Sequence, residues 1–269
     1  MRASGIITLV TDFGLSDPYV GMMKGVILSL NPKAHLVDVS HQVGTGAILQ
    51  ASRILSETHS YFPRGTVHLA VVDPSVGSGR RPIALRAGEH LFVGPDNGIF
   101  WPIIDAAGSV KVVELTEDRF FLPSITHTFH GRDVFAPVAA HLSLGVDLEE
   151  MGRPISDPVS LQVPAPFMLE DTLLGQILRV DHFGNLITNI SARELAEFLG
   201  ACRPEVQVGR LRVTGLRRIY ADVEEGRPLV LINSSNLLEI AVNLGRASEY
   251  VGLEKGEIVG SAVKVSRVG

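Results

Sequence analysis

The chain has 269 residues, 45% of them hydrophobic and 20% charged, which excludes a disordered polypeptide and leaves ample length for two cores. Its formal net charge of −5, with no run of Lys or Arg, argues against a general nucleic-acid binder. A single cysteine, Cys202, rules out an intrachain disulfide and a cysteine zinc cluster, and a reducing, cytoplasmic location is expected.

Residues 5–10, GIITLV, form a short β-branched run that reads as a buried parallel strand; it stops at Thr11–Asp12, far short of the ~18 apolar residues a membrane span needs. In DPYVGMMKGVILSLNP the apolar positions Val20, Met23, Val26, Ile27 and Leu30 have helical spacing, and Asn31–Pro32 closes the helix. AHLVDVS reads as a strand, residues 46–60 as a helix with Ile48, Ala51, Ile54 and Leu55 on one face, and GTVHLAVVD as a third strand. PIALRAG and EHLFVGPD add two strands and GRDVFAPVAAHLSLG a helix. Strands alternating with helices predict an α/β fold: a mostly parallel sheet covered on both faces, over residues 1–152. RPISDPVSLQVPAPF, with Pro154, Pro158, Pro164 and Pro166, reads as a linker over 153–168. Beyond it the runs are short and strand-like, and SARELAEFLG alone looks helical, so 169–269 is expected to be a smaller β-barrel domain.

Three apolar strands end in an aspartate, at Asp12, Asp73 and Asp96. An open parallel sheet binds ligands at the carboxyl ends of its strands, so the three together point to a site, although any one of them also suits a turn or helix cap. TDFG at 11–14 lacks the glycine-rich loop and lysine strand that precede a kinase DFG, and no dinucleotide or phosphate-loop motif is present. The nine histidines do not fall into metal-ligand spacing, so no metal is expected. THTFHGRDVFAP collects His127, His130, Arg132 and Asp133 before an apolar helix; Asp133 suits an N-cap, which leaves His130 as the site candidate. In VDHFGNLITNI, Asp181 and Asn185 flank Phe183–Gly184, a hairpin turn or a binding site with equal claim. NSSNLLEIAVN sets Ser and Asn at a strand end.

Taken in order, VTDFG…DPYVGMMKGVI, VVDPSVGSGRR, VGPDNGIF, FHGRDVFAPVAAHL, DHFGNLITNI and NSSNLLEIAVN resemble the S-adenosyl-L-methionine (SAM) hydroxide adenosyltransferases, the adenosine-forming SAM hydrolases, which are relatives of the fluorinating and chlorinating SAM enzymes. The resemblance implies an N-terminal α/β domain, a C-terminal β-barrel, and a homotrimer that binds SAM between neighbouring subunits. It implies the reaction of SAM with water to give adenosine and L-methionine, with SAM as substrate and no cofactor. An Asp–Arg–His trio would hold the attacking water, and the motif match assigns it to Asp73, Arg80 and His130, with Arg81 as the competing arginine. Asp12 matches the ribose-binding carboxylate. Asp181 matches a contact to the methionine end and Asn185 one to adenine; Phe129 and Phe183 supply aromatic faces, and Ser234 matches a hydroxyl near the methionine carboxylate. Asp73–Pro74 stands where the halogenating relatives have Tyr-Pro, and Gly131 where the fluorinating enzyme has a halide-donating serine. Water is therefore favoured, with a halogenase and a SAM- or adenosine-binding sensor as the alternatives.

Overall fold

Along the first strand, β1 (Ile6–Thr11), Ile7 and Leu9 enter one apolar core while Val10 enters another, the period-two alternation of a strand buried on both faces. The computed structural model describes residues 2–254 and 256–268, and these form two compact units, Met1–Gln162 and Val163–Gly269. In the first, β1 is followed by helix α1 (Tyr19–Leu30), β2 (His35–Ser40), α2 (Ile48–Thr58), β3 (Val67–Val71), β4 (Pro82–Ala87), β5 (His90–Pro95), α3 (Trp101–Ala106), β6 (Val110–Leu115), α4 (Ala136–Ser143) and β7 (Gly152–Ile155). The seven strands form one sheet in the order β2-β1-β3-β5-β4-β6-β7. Met23 and Ile27 of α1 and Val138 and Leu142 of α4 bury one face; Ala51 and Leu55 of α2 and Ile103 of α3 bury the other.

Parallel pairing is confined to β2-β1-β3-β5, and the other three pairings are antiparallel. The reason is local: β4 and β5 are separated by Gly88–Glu89 alone, and two residues can reverse a chain but cannot carry it over a sheet face. Residues 153–155, expected to begin the linker, instead belong to β7 and pair with β6; residues 157–166 have no regular secondary structure.

The second unit contains β8 (Phe167–Leu169), β9 (Thr172–Val180), β10 (Leu186–Ser191), α5 (Ala192–Leu199), β11 (Arg203–Val208), β12 (Leu211–Thr214), β13 (Leu216–Arg217), β14 (Pro228–Ile232), β15 (Leu237–Val242) and β16 (Ala262–Val268). Its sheet runs β12-β11-β16-β9-β10-β15-β14-β13, with β8 paired to β9, and curls until β12 lies against β14. It is the expected small barrel, nearly closed around Ile177, Ile190, Val206, Ile240 and Val263. Its one long helix starts at a capping box: Ser191 Oγ accepts from Glu194 N, and the Glu194 carboxylate accepts from Ser191 N.

Candidate active site

The turn between β3 and β4, DPSVGSGRR, carries Asp73 at its start and Arg80 at its end. Gly77 allows the turn to close: its φ is +77°, and a Cβ there would lie 2.2 Å from the carbonyl oxygen of His127. The turn therefore presses directly against the segment that leads to His130. Arg80 Nε donates to Asp73 Oδ1 and Oδ2 at 3.0 and 2.9 Å, and its Nη2 donates to Asp73 Oδ2. The same Nη2 lies 3.0 Å from His130 Nδ1. A guanidinium only donates, so Nδ1 is the acceptor and Nε2 carries the ring proton. Burial first, and then the Arg80 charge, hold the His130 pKa below the usual histidine range, so its ring is neutral at pH 7.

The side chains of Asp73 and Arg80 are only 4% and 7% exposed. The Arg80 guanidinium lies 5.1 Å from the Phe135 ring centroid, and its Nη1 is buried with no acceptor among the described residues. Arg81 turns away: its Nε donates to Asp96 at 2.9 Å, and its Nη1 and Nη2 reach Asp157 Oδ1 and O at 2.8 and 2.7 Å. The structure thus joins Asp73, Arg80 and His130 and leaves Arg81 outside.

Asp96, the third strand-end aspartate, belongs to that outer arrangement. It is buried, and it accepts from Arg81 and from Val159 N, an anchor for the chain after β7. Asp12 stays at the sheet edge, where its Oδ2 accepts from Gly46 N at 2.8 Å, and a Cβ on Gly46 would reach Pro74 at 3.7 Å.

Asp133 is not an N-cap. Residues 131–135 form one wide π-turn that carries it inward, where it is fully buried and accepts from Thr126 N and Oγ1 and from Arg132 Nε. Burial opposes its charge, but those bonds outweigh burial and lower its pKa. Asp133 thereby ties down the loop that delivers Phe129 and His130. Phe129 packs edge-on against Phe13 and Tyr19, with centroids 5.8 and 5.2 Å away. These rings, with Asp73, Val76, Thr128 and His130, line a cleft of about 390 Å³. A Cβ on Gly131 would meet the Phe129 ring at 3.2 Å and the Met23 sulfur at 3.3 Å, so a serine there would be crowded.

In the second unit the β9–β10 turn is a hairpin in which Asp181 accepts from Asn185 N and Nδ2 at 2.8 and 3.0 Å. Phe183, at its tip, is 71% exposed. Two depressions meet there, one of about 520 Å³ that includes Phe183 and Asn185, the other of about 420 Å³ that includes Asp181, Phe183 and Ser234. Sequence reasoning missed Tyr220, which lines both, and Glu239, to which its hydroxyl donates at 2.8 Å. Glu239 is buried, and burial first raises its pKa; burial and then Glu239 push Tyr220 up to about 12. The available signal was a lone carboxylate inside LLEIAV.

A buried charged network at the carboxyl edge of parallel strands, beside an aromatic cleft, defines an α/β protein built to act on a small molecule. The chain belongs to the SAM hydroxide adenosyltransferase family: residues 7–152 match its N-terminal domain and 175–260 its C-terminal domain. It is 39% identical to the (R)-S-adenosyl-L-methionine hydrolase of Salinispora tropica over 93% of this chain and 95% of the relative. It is 28% identical to a fluorinase of an Actinoplanes species over 95% of this chain and 97% of the relative. An uncharacterized conserved protein from Thermotoga maritima has a similar solved structure, with 34% identity, TM-score 0.89, and coverage of 97% of this chain and 100% of that one.

Proposed function

We propose that this enzyme hydrolyses SAM to adenosine and L-methionine by in-line attack of water on C5′. The observation that carries the reading is Arg80, which bonds both Asp73 and His130 while its neighbour Arg81 is engaged elsewhere. In the reaction the water oxygen bonds to C5′ and the C5′–sulfur bond breaks. Its electron pair passes to sulfur, and the water proton is lost. A sulfonium departs as a neutral thioether, so the leaving group needs neither a general acid nor a metal, and the nucleophile is the difficult part. His130 Nε2–H orients the water, Arg80 stabilises the developing hydroxide, and Asp73 takes the proton, the one member of the trio with acceptor capacity left. Crowding at Gly131 works against a serine-type halide site.

In the same reading Asp12 holds the ribose hydroxyls and Phe129 walls the reacting end. Asp181 and Ser234 bind the methionine moiety, while Asn185 and Phe183 take adenine. These residues lie on two separate units, which supports a homotrimer with each site completed by a neighbouring subunit. A cytoplasmic location belongs to this reading; among the described residues no helix is long and apolar enough to cross a membrane.

Purified protein incubated with SAM and EDTA should release adenosine and methionine in equal amounts, with chromatography of the nucleosides as the measurement. Binding without turnover would indicate a sensor, a 5′-halonucleoside in halide buffer a halogenase, and activity restored by a divalent ion a metalloenzyme. The trimer should be visible by light scattering, and specific activity should fall on dilution as it dissociates. Full activity in a verified monomer would overturn the shared site.

A further inference from the structure

His41 touches none of the cleft, yet it is buried against the segment that carries Asp12. Its Nε2 lies 3.0 Å from Asp38 Oδ1, and Asp38 in turn pairs with Lys24 at 2.6 Å. A carboxylate beside Nε2 keeps the proton there, so in the neutral ring Nδ1 is an acceptor. Thr11 Oγ1 is 2.8 Å from Nδ1 and itself accepts from Phe13 N at 3.3 Å. Two hydrogen bonds therefore run in one consistent direction from the backbone at Phe13 through Thr11 to His41, and beyond them the buried Nε2 sits in ion-pair range of Asp38 but off the hydrogen-bond line. Thr11 and Phe13 are the two neighbours of Asp12. The main chain of His41 adds a further tie, because its carbonyl accepts from Gly14 N at 2.8 Å. The loop that begins at His41 also reaches Asp12 from the other side: Gly46 N donates to Asp12 Oδ2, and Gly44 N is pinned to Gln50 of α2. One oxygen of Asp12 is anchored in this way, and Oδ1 has no partner among the described residues.

We propose that His41 is a positioning residue for the substrate's vicinal diol: with Thr11 and Asp38 it fixes the Thr11–Gly14 segment so that the Asp12 carboxylate meets the ribose hydroxyls. The inference rests on the reading that Asp12 binds ribose. The diol hydroxyls are spectators to displacement at C5′, so a misplaced Asp12 weakens substrate and transition state alike and raises KM while sparing kcat.

The test compares His41→Leu with His41→Asn, whose amide overlays the Nδ1 side of the ring and preserves the tie to Thr11. His41→Leu should raise KM, and weaken calorimetric SAM affinity, on the order of 10-fold, the loss of about one charge-linked hydrogen bond, with kcat within about 3-fold. His41→Asn should recover most of that loss. In an Asp12→Ala background His41→Leu should add little, since its route to the diol is already gone. Asp38→Ala, at a half-exposed position, should show a smaller rise in KM of the same kind. A fall in kcat with KM unchanged, a full additional loss on top of Asp12→Ala, or unaltered affinity in both Asp38→Ala and His41→Leu would overturn the inference while leaving SAM hydrolysis intact. Wild-type protein that neither binds nor cleaves SAM would overturn both readings together.

Discussion

Asp73→Asn is expected to lower kcat by ~10²–10⁴-fold, roughly 3 to 5 kcal/mol of barrier, with SAM affinity nearly unchanged. The substitution keeps size and one acceptor but removes the charge that receives the water proton and aligns Arg80. Thermal stability alone does not test this role. Asp73 and Arg80 form a buried pair, and removal of one partner from such a pair destabilises a fold by about 3–5 kcal/mol whatever its chemistry. Turnover per folded molecule, measured at 20 °C beside calorimetric SAM binding, separates the two. Arg80→Ala should show a comparable loss of kcat. Arg81→Ala should retain near wild-type turnover, because its bonds to Asp96 and Asp157 serve the segment after β7. Unchanged turnover in folded Asp73→Asn, or equal losses for Arg80→Ala and Arg81→Ala, would refute the assignment.

Acidification should destabilise the first unit through His68. This histidine, on β3, is buried beside His90 and His59; its Nδ1 contacts Thr8 Oγ1 at 2.8 Å and its Nε2 contacts His90 Nδ1 at 3.2 Å. Burial, then the neighbouring charges of His90 and His59, push its pKa down to about 3. A pKa depressed on folding means that the unfolded chain binds the proton more readily. The stabilisation is therefore complete above the unfolded value near 6.5 and is lost as pH falls toward 3. The whole window corresponds to roughly 5 kcal/mol. Urea unfolding at pH 7, 5.5 and 4.5 should show stability falling steeply, and His68→Gln should flatten that slope even if it lowers stability uniformly. Some slope will remain, because burial also lowers the pKa of His90. Identical slopes in the two proteins would exclude His68 as the main acid-sensitive group.

Most of the architecture was legible locally. Helical spacing marked α1 and α2, β-branched runs marked the strands, and the proline-rich stretch separated an α/β part from a β part, because side-chain period and turn chemistry are properties of neighbouring residues. The order of the motifs carried the family, and VVDPSVGSGRR together with FHGRDVFAPVAAHL carried the candidate trio. Partner choice is different, because it depends on which distant segments fold alongside. Arg80 and Arg81 are adjacent and chemically identical. One became a member of the trio because β3 and the turn before the π-turn bring Asp73 and His130 to it; the other was claimed by Asp96 and Asp157. Asp133 had the local signature of a helix cap, and a π-turn buried it instead under Thr126 and Arg132. The antiparallel turn at Gly88 was written in the sequence, but the expectation of alternating helices and strands overrode it. His41, Tyr220 and Glu239 carry no motif. Their placement depends on residues 3 to 30 positions away, and a single chain records such pairings only once it has folded.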